Sequence, residues 1–442
     1  MPIFPAAFGA MDAGILLASV CVFTILVRRL RRRSSTPLKG PPSSNFLFGM
    51  MPRLMNAPDS GAIYEEWAAE HGSVFCRIIV LTDPKAIGQF CTNDTYAYVQ
   101  TPNAKRFLER LIGRGLFWAE GDSHKSRQPA FAPASIKNLT PIFFDSAWKA
   151  KSAWDFILES SSEGAIIEVQ KCLDTIGLAG FSHDFGALSG RTSAVATAFD
   201  SIGSKPSILS TAIFMLSLIS PVLGKIPTGR PKSASASKIS EEEVVAQINV
   251  LLWALIELCR NPDIQTKLRD ELLQAGRDRD PSWEELTNNL PFLDAFTSEI
   301  LRLHAPLPEI QRVAAKDDVL PLSTPIKTAS GALVDTIFVS KGTMLTLPIQ
   351  CMNRSVEFWG DSGHRHMLTF ADGPRTCLGK GFAIAEFKAV ISVLVRSYTF
   401  EFPKGPETVI GRHRNILPRP KVEGEEGYAV PLRIRHYYRN RE

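Results

Sequence analysis

The chain contains no pair of cysteines in a C-x-x-C arrangement, and its seven cysteines follow no regular spacing. They lie at positions 21, 76, 91, 172, 259, 351 and 377. An odd, scattered set of this kind indicates reduced thiols in a reducing compartment and argues against a disulfide framework. All of them except Cys377 are interpreted as small core residues or surface thiols.

Net positive charge is also absent once one short segment is set aside. The net charge is +5, and the five arginines at positions 28, 29, 31, 32 and 33 account for all of it. The rest of the chain is therefore formally neutral, whereas a nucleic-acid surface needs a basic face on the folded domain. We expect no nucleic-acid partner.

Charge is nearly absent from residues 3–27, where Asp12 is the one charged residue. This apolar run is long enough to span a bilayer. The arginines follow the run, whereas a secretory signal carries its positive charge before the apolar segment. The positive-inside rule then places everything after residue 33 in the cytosol. We expect residues 1–33 to be a membrane anchor with a basic flank; the alternative is a cleaved presequence.

Proline and glycine are concentrated directly after the arginines, at Pro37, Gly40, Pro41 and Pro42. This composition predicts a stiff hinge over residues 34–44. The whole chain is 45% hydrophobic, which is ample for a sizeable core. We therefore expect residues 45–442 to form the folded domain.

One loop near the carboxyl end carries a pattern suited to binding a metal cofactor. It reads Phe370-Ala-Asp-Gly-Pro-Arg-Thr-Cys-Leu-Gly379 and leads into a predicted helix. Cys377 can bind a metal as a thiolate, and the glycines at 373 and 379 let the backbone approach something flat. Phe370 supplies an apolar lid, and Arg375 offers a fork of donors suited to a carboxylate. The alternative is a buried structural cysteine beside a tight turn.

This loop resembles the haem-binding loop of the cytochrome P-450 family, Phe-x-x-Gly-x-Arg-x-Cys-x-Gly, at all five fixed positions. The resemblance covers roughly residues 35 to 435 and is closest to fungal microsomal members. It implies a mainly α fold with a small β-sheet, in which a helical domain encloses haem b. Cys377 would be the axial ligand of the iron, and Arg375 would bind a haem propionate. Thiolate ligation favours O–O cleavage, so the implied activity is monooxygenation.

Two further motifs strengthen the resemblance. Glu299-Ile-Leu-Arg302 stands about seventy-five residues before Cys377 and resembles the structural Glu-x-x-Arg motif of the family, a buried ion pair. Alone, such a motif is indistinguishable from a surface pair. Arg312 matches the arginine that family members direct at a haem propionate; the alternative is a surface charge at a strand edge.

His124 occupies the place where family members present a propionate-binding Trp or His near a helix start. The family arginine four residues later is replaced by Gln128, and Arg127 lies three residues on, still on the same helix face. Pro129 follows and disfavours helix at Gln128. Both His124 and Arg127 are candidate propionate ligands, and a solvated charged turn is the alternative.

Several elements of the family pattern are missing from this chain. The predicted helix from Glu241 to Arg260 has no Gly, Thr or acidic residue between positions 244 and 256, where family members carry an acid and a threonine that deliver protons to dioxygen. Only ten residues separate Trp359 from Phe370, so the segment that precedes the cysteine loop in family members, called the meander, is short in this chain. Arg365 is the one nearby arginine that could bind the Glu-x-x-Arg pair. The domain is accordingly expected to be incomplete around 76–78, 124–130, 225–253 and 360–369, and no catalytic acid or threonine is assigned.

The resemblance leaves three hypotheses open. The first is a monooxygenase of the endoplasmic reticulum membrane that oxidises a small apolar molecule with O2 and electrons from NADPH through a cytochrome reductase. Lys380 and Lys388 are candidate contacts for an acidic reductase. The second is a haem-binding but catalytically impaired protein, because proton delivery by a positioned group contributes about 10²–10⁴-fold. The third is a chain that never binds haem stably.

Overall fold

The computed structural model describes residues 35–42, 49–125, 133–159, 164–169, 238–276, 279–356, 367–413, 418–425 and 429–437, apart from breaks at 77, 112–113 and 115–117. Residues 19 and 23 are described singly. The predicted anchor therefore lies outside the described residues, as do Arg127 and Arg365. Within the described part of the chain, no helix combines the length and the apolar character that a membrane crossing needs.

The described residues form twelve α-helices, most of them where apolar periodicity and capping residues predict them. In chain order they are α1 Met51–Asn56, α2 Ser60–His71, α3 Pro84–Thr92, α4 Pro102–Leu111, α5 Asp122–Lys125, α6 Pro133–Leu158, α7 Lys238–Arg260, α8 Pro262–Ala275, α9 Trp283–Asn288, α10 Pro291–Leu303, α11 Ile349–Arg354 and α12 Lys380–Ser397.

The strands are short and form four small sheets. They are β1 Val74–Phe75, β2 Ile79–Leu81, β3 Tyr98–Val99, β4 Ala165–Glu168, β5 Ile310–Ala314, β6 Asp318–Lys327, β7 Leu333–Val339, β8 Met344–Leu347, β9 Tyr398–Glu401, β10 Ile410–His413, β11 Arg419–Val422 and β12 Pro431–His436. The five-stranded sheet has the order β1-β2-β8-β5-β3, and the three-stranded sheet has the order β4-β12-β9. The pairs β6-β7 and β10-β11 complete the set. The expected helical fold with a small amount of sheet is thus present.

The core of the helical part is built around α12, whose side chains from Ala385 to Val395 are all buried. Its first turn packs on α6, where the rings of Phe143 and Phe382 meet edge to face at 4.8 Å. The described side chains of α7 from Ile248 to Cys259 are buried in the same core, apart from partly exposed Glu257. Because α12 is fixed on every side, the loop at its amino end has a rigid base.

The strand pair that the sequence seemed to lack is present. β1 and β2 pair antiparallel, with Val74 opposite Leu81, across the short connection that contains Cys76. Cys76 takes a positive φ of 74°, which closes this tight turn. The domain was expected to be incomplete around residues 76–78; β1 was overlooked there because a two-residue strand is too short to show an alternating pattern.

The described part of the predicted hinge is bound along the domain. Thr36 exchanges two hydrogen bonds with Phe338 of β7, of 3.0 and 2.8 Å. The carbonyl oxygen of Lys39 accepts a 2.8 Å hydrogen bond from the amide of Cys76. Residues 35–39 therefore follow the edge of β7 and reach the β1–β2 turn, so the segment joined to the arginines is held in place.

Candidate functional site

The loop from Phe370 to Gly379 is closed by its own backbone and ends where α12 begins. The amide of Cys377 donates a 2.8 Å hydrogen bond to the carbonyl oxygen of Phe370, and the amide of Thr376 donates one of 3.0 Å to that of Gly373. Residues 373–375 form a 3₁₀ turn whose N-cap is Asp372. Phe370 is partly buried against the core. The loop therefore presents Cys377 at the amino end of a buried helix, with its side chain exposed.

Cys377 differs from the other cysteines of the described part. Burial raises the pKa of the Cys76 thiol to about 11 and those of Cys91, Cys259 and Cys351 to about 12. Those four side chains are buried or half-buried, and their thiols stay protonated at neutral pH. Of the five cysteines in the described residues, Cys377 is the one that is exposed, so its sulfur is accessible to a ligand. The alternative of a buried structural cysteine is wrong.

The two glycines of the loop have different roles. Gly373 takes a φ of +68°, and a Cβ there would lie 2.3 Å from the carbonyl oxygen of Cys91. It therefore allows the loop to pack against the end of α3. At Gly379 a Cβ would lie 3.9 Å from the sulfur of Cys377, which leaves the space beside the sulfur unfilled. Of the two, Gly379 is the one placed as expected for a cofactor.

Arg375 is buried with unused donors. Its side chain is 7% exposed, and Nε and Nη2 have no hydrogen-bond partner among the described residues. The nearest carboxylate oxygen, on Glu120, lies 4.0 Å away. Burial lowers the pKa of this guanidinium, and the positive charge of Arg312 lowers it further. Because leaving buried donors unpaired is costly, Arg375 can bind an anionic acceptor that the described residues do not supply.

Arg312 lies within the five-stranded sheet, on β5 between β8 and β3. Its guanidinium forms two hydrogen bonds with the carboxylate of Asp94, of 2.8 and 3.2 Å. The Arg312 side chain is 15% exposed and that of Asp94 is 4% exposed. A surface charge at a strand edge is therefore the wrong interpretation, although a partner was not foreseen.

His124 lies on α5 and is buried. Burial lowers its pKa, and the neighbouring positive charge of Arg375 acts in the same direction. The fold thus places His124 close to Arg375, and Arg375 close to Arg312. For His124 the alternative of a solvated turn is wrong; its predicted companion, Arg127, lies outside the described residues.

These residues fit a haem. The exposed sulfur can bind the iron, while unpaired donors of Arg375 beside Arg312 and His124 can bind propionates. Among the described residues no cluster of three or more His, Cys, Asp or Glu side chains could hold a metal ion.

The Glu-x-x-Arg pair is formed but is less buried than expected. Arg302 donates from Nε and Nη2 to the Glu299 carboxylate, at 2.8 and 2.6 Å. The side chain of Arg302 is 20% exposed and that of Glu299 is 42% exposed, so the expectation of a buried pair was wrong for Glu299.

A third residue, Asn353, belongs to this arrangement and was missed by sequence reasoning. Its main-chain carbonyl oxygen accepts a 2.8 Å hydrogen bond from Arg302 Nη1. Asn353 is fully buried, at the end of α11. Three of the four residues directly before it, Ile349, Cys351 and Met352, are apolar and were the available signal.

The two lysines proposed as reductase contacts have different surroundings. Lys380 is exposed, with its Nζ 5.8 Å from the centre of the Phe370 ring. Lys388 is 3% exposed and donates to the carbonyl oxygen of Leu286 at 2.7 Å and to Asp294 at 2.8 Å. The prediction for Lys388 was wrong, since α12 is buried over nearly its whole length and this lysine bonds internally.

The described half of α7 supplies no proton-delivering pair. From Ile248 to Ile256 the side chains are apolar except for Asn249, which is buried and whose Nδ2 has no hydrogen-bond partner. The first acidic residue along this stretch is Glu257, which is bound to His304 and Arg260. The side chains of residues 238–247 lie outside the description.

Comparison with known proteins gives a consistent set of relatives. A family model described as Cytochrome P450 matches residues 244–423. Cytochrome P450 monooxygenase claP of Ampulloclitocybe clavipes is 46% identical, over 97% of this chain and 98% of the relative. Cytochrome P450 monooxygenase claU of the same organism is also 46% identical, over 96% and 97%. Cytochrome P450 monooxygenase 205 of Postia placenta is 28% identical, over 97% and 98%.

The alignment with claP is longer than this chain. It runs over 525 positions, whereas 97% of 442 residues is about 429 residues. About 96 aligned positions therefore hold no residue of this chain. Where along the chain these positions fall stays a prediction.

Proposed function

This chain belongs to the cytochrome P450 family of monooxygenases, and from that premise we propose that it binds haem b through Cys377 and oxidises a small apolar organic molecule. The other substrates are O2 and electrons from NADPH, delivered by a cytochrome reductase. The observation that carries the proposal is the pairing of an exposed cysteine with a buried arginine whose Nε and Nη2 are unpaired. When bound, a thiolate-ligated haem supplies the iron at which dioxygen is activated.

The residues of this chain have separate tasks in the proposed site. Cys377 provides the thiolate, and the backbone bond from its amide to Phe370 keeps the loop closed. Arg375 donates to a propionate from a buried position, where charge-assisted hydrogen bonds are strong. Arg312 adds positive charge and donors beside it, and His124, whose pKa is lowered by burial, adds a ring N–H. Phe370, partly buried against the core, would cover the loop beside the sulfur.

The apolar character proposed for the substrate rests on what small-molecule pockets share. The apolar side chains of α7 from Ile248 to Ile256 are packed in the protein core, so they are not the basis for it. Small-molecule pockets are lined mainly by apolar side chains, with few polar groups that fix orientation. Exposed Lys380 remains the proposed contact for an acidic reductase, since complementary charge steers such encounters.

The proposed location is the endoplasmic reticulum membrane, with the domain in the cytosol. Residues 3–27 would be the anchor, and the arginines after them would stay on the cytosolic side. A chain without residues 1–33 is expected to be released from microsomes by alkaline carbonate, whereas the full chain stays bound. Retention of the shortened chain would contradict the proposal.

A second candidate function is a haem protein with impaired turnover. The observations that favour it are the apolar run of α7, which offers no acid or threonine, and the roughly 96 alignment positions without a residue of this chain. Without a positioned proton donor, turnover falls about 10²–10⁴-fold while haem binding persists. NADPH would then be consumed without an equivalent amount of oxidised product.

One experiment separates these possibilities. The purified full chain is reduced, exposed to CO and measured by absorption; NADPH consumption and product formation with a reductase follow. A red-shifted Soret band with coupled product supports the monooxygenase. The band with uncoupled NADPH consumption supports the impaired protein. The absence of any haem band would overturn both and leave a chain that does not retain haem.

A further inference from the structure

The last two residues of α3 and the turn after them, residues 91–95, contact all three elements that carry the proposed propionate ligands. We propose that Asp94 is the positioning residue of the haem site and that this turn, here called the 91–95 turn, holds Arg312, His124 and Arg375 in one place. The proposal rests on the haem site inferred above and extends it to a residue that touches neither the sulfur nor the proposed propionates.

The first contact is with β5. Asp94 accepts hydrogen bonds from Nε and Nη2 of Arg312, at 2.8 and 3.2 Å, and from the amide of Thr95 at 2.8 Å. Arg312 also donates from Nη1 to the carbonyl oxygen of Gln311, at 3.1 Å. A guanidinium has five N–H groups, so one remains on each terminal nitrogen. Asp94 therefore fixes the plane of the guanidinium and leaves two donors for a ligand.

The second contact is with the segment that carries His124. Thr95 has a positive φ of 73°, and its Oγ1 accepts a 2.7 Å hydrogen bond from the amide of Gly121. The carbonyl oxygen of Gly121 in turn accepts a 3.0 Å hydrogen bond from the amide of His124. Because a β-branched residue rarely adopts a positive φ, this turn is held by its surroundings, including the bond from Thr95 to Asp94.

The third contact is with the cysteine loop. Gly373 lies against the carbonyl oxygen of Cys91, so closely that a Cβ at position 373 would lie 2.3 Å away. Arg375 follows two residues later, in the same 3₁₀ turn. The negative charge of Asp94 raises the pKa values of Arg375 and His124, against the lowering caused by burial. Asp94 is thus close enough to interact electrostatically with Arg375 and His124 as well as with Arg312.

The alternative is that Asp94 and Arg312 are an ordinary structural ion pair. The two interpretations differ in which segments of the chain change when the Asp94 charge is lost. An ion pair affects its own two elements, whereas a positioning residue affects the His124 segment and the cysteine loop as well. Asp318 offers a matched control, since its carboxylate accepts a 2.7 Å hydrogen bond from the hydroxyl of neighbouring Tyr98.

The test is hydrogen exchange of the full chain carrying Asp94→Asn or Asp318→Asn, followed in peptides that cover residues 118–125, 310–314 and 370–379. We expect Asp94→Asn to accelerate exchange about tenfold in all three segments, as the loss of one hydrogen bond to a charged group implies. Asp318→Asn should leave residues 118–125 and 370–379 unchanged. Acceleration confined to residues 310–314 would overturn the proposal.

A second readout uses the haem-loaded protein. Removal of a buried negative charge near a haem disfavours the ferric state, so Asp94→Asn should raise the reduction potential of the haem. Because the variant also loses a hydrogen bond to Arg312, haem should pass from it to apomyoglobin about tenfold faster. Asp318→Asn should change neither. An unchanged potential in Asp94→Asn contradicts the positioning role. If the unaltered chain binds no haem, the proposed function fails, and the exchange experiment still decides the role of the 91–95 turn.

Discussion

Arg302 Nη1 donates a 2.8 Å hydrogen bond to the main-chain oxygen of Asn353, and Asn353 Nδ2 donates back to the main-chain oxygen of Arg302 at 3.3 Å. Asn353 Nδ2 also donates a 2.8 Å hydrogen bond to Thr369 Oγ1. Asn353 Oδ1 accepts a 2.8 Å hydrogen bond from the main-chain amide of Leu368. Asn353 thereby ties α10 to the two residues that precede Phe370. The Glu299 carboxylate, whose side chain is 42% exposed, binds the same guanidinium through Nε and Nη2.

Replacement of Asn353 by Ala should therefore destabilise the protein more than Glu299→Gln. The first change leaves the buried Leu368 amide and Arg302 oxygen without partners, which costs about 2–3 kcal/mol. The second removes the charge of a partly exposed pair, which costs about 1 kcal/mol or less. Thermal unfolding midpoints of the two variants measure the order. An equal or larger loss in Glu299→Gln would contradict the role given to Asn353.

Gly373→Ala should disrupt the cysteine loop. The change meets both a positive φ and the Cys91 carbonyl oxygen at 2.3 Å, so the loop has to move away from α3. Gly405→Ala is the matched control, since Gly405 has a φ of +89° and nothing within 4 Å of its Cβ position. The control should cost about 1 kcal/mol from backbone strain alone. We expect Gly373→Ala to lose haem binding, measured by absorption of the purified chain, and the control to keep it.

His304 should make the protein lose stability in mild acid. Its ring stacks on Trp253 with centroids 4.2 Å apart, Nδ1 accepts from Arg412, and Nε2 donates to Glu257. Since an arginine only donates, this geometry requires the neutral ring. Burial lowers the pKa of His304 to about 4, and the charges of Arg412 and Arg354 act in the same direction.

The sign of the pH dependence follows from that pKa. Because the free imidazole titrates near 6.5, the unfolded chain binds this proton first as the pH falls. Stability is complete above pH 6.5 and decreases as the pH falls toward 4, by about 3 kcal/mol. Chemical unfolding between pH 7 and pH 4.5 checks the slope. The His304→Gln variant should be less stable at pH 7, but its stability should change less between pH 7 and pH 4.5. A variant whose stability falls as steeply as that of the unaltered chain would exclude His304 as the source of the pH dependence.

The candidate site residues that the sequence singled out belong to short, local patterns. Cys377 and Arg375 lie in one ten-residue loop, and Arg302 lies one helical turn from Glu299, so their spacing alone fixes their relation. The helices around them were also foreseen, because α7 and α12 carry long apolar patterns bounded by caps and breakers.

The residues that were missed or misplaced depend on contacts between distant segments. Asp94 is 218 positions from Arg312, and Asn353 is 51 from Arg302, so no periodicity joins them. Lys388 was taken for a surface charge because a lysine is usually exposed, yet it bonds to Leu286 and Asp294 inside the core. Such partners follow from packing, which a single sequence does not display.

The most direct test of the account is the CO-bound, reduced absorption spectrum of the full chain with Cys377→Ser, beside the unaltered chain and Cys76→Ser. Cys76 is a half-buried cysteine in the β1–β2 turn, outside the loop from Phe370 to Gly379. The account predicts a red-shifted Soret band in the unaltered chain and in Cys76→Ser, and its loss in Cys377→Ser. An unchanged red-shifted band in Cys377→Ser would contradict the assignment of the iron ligand.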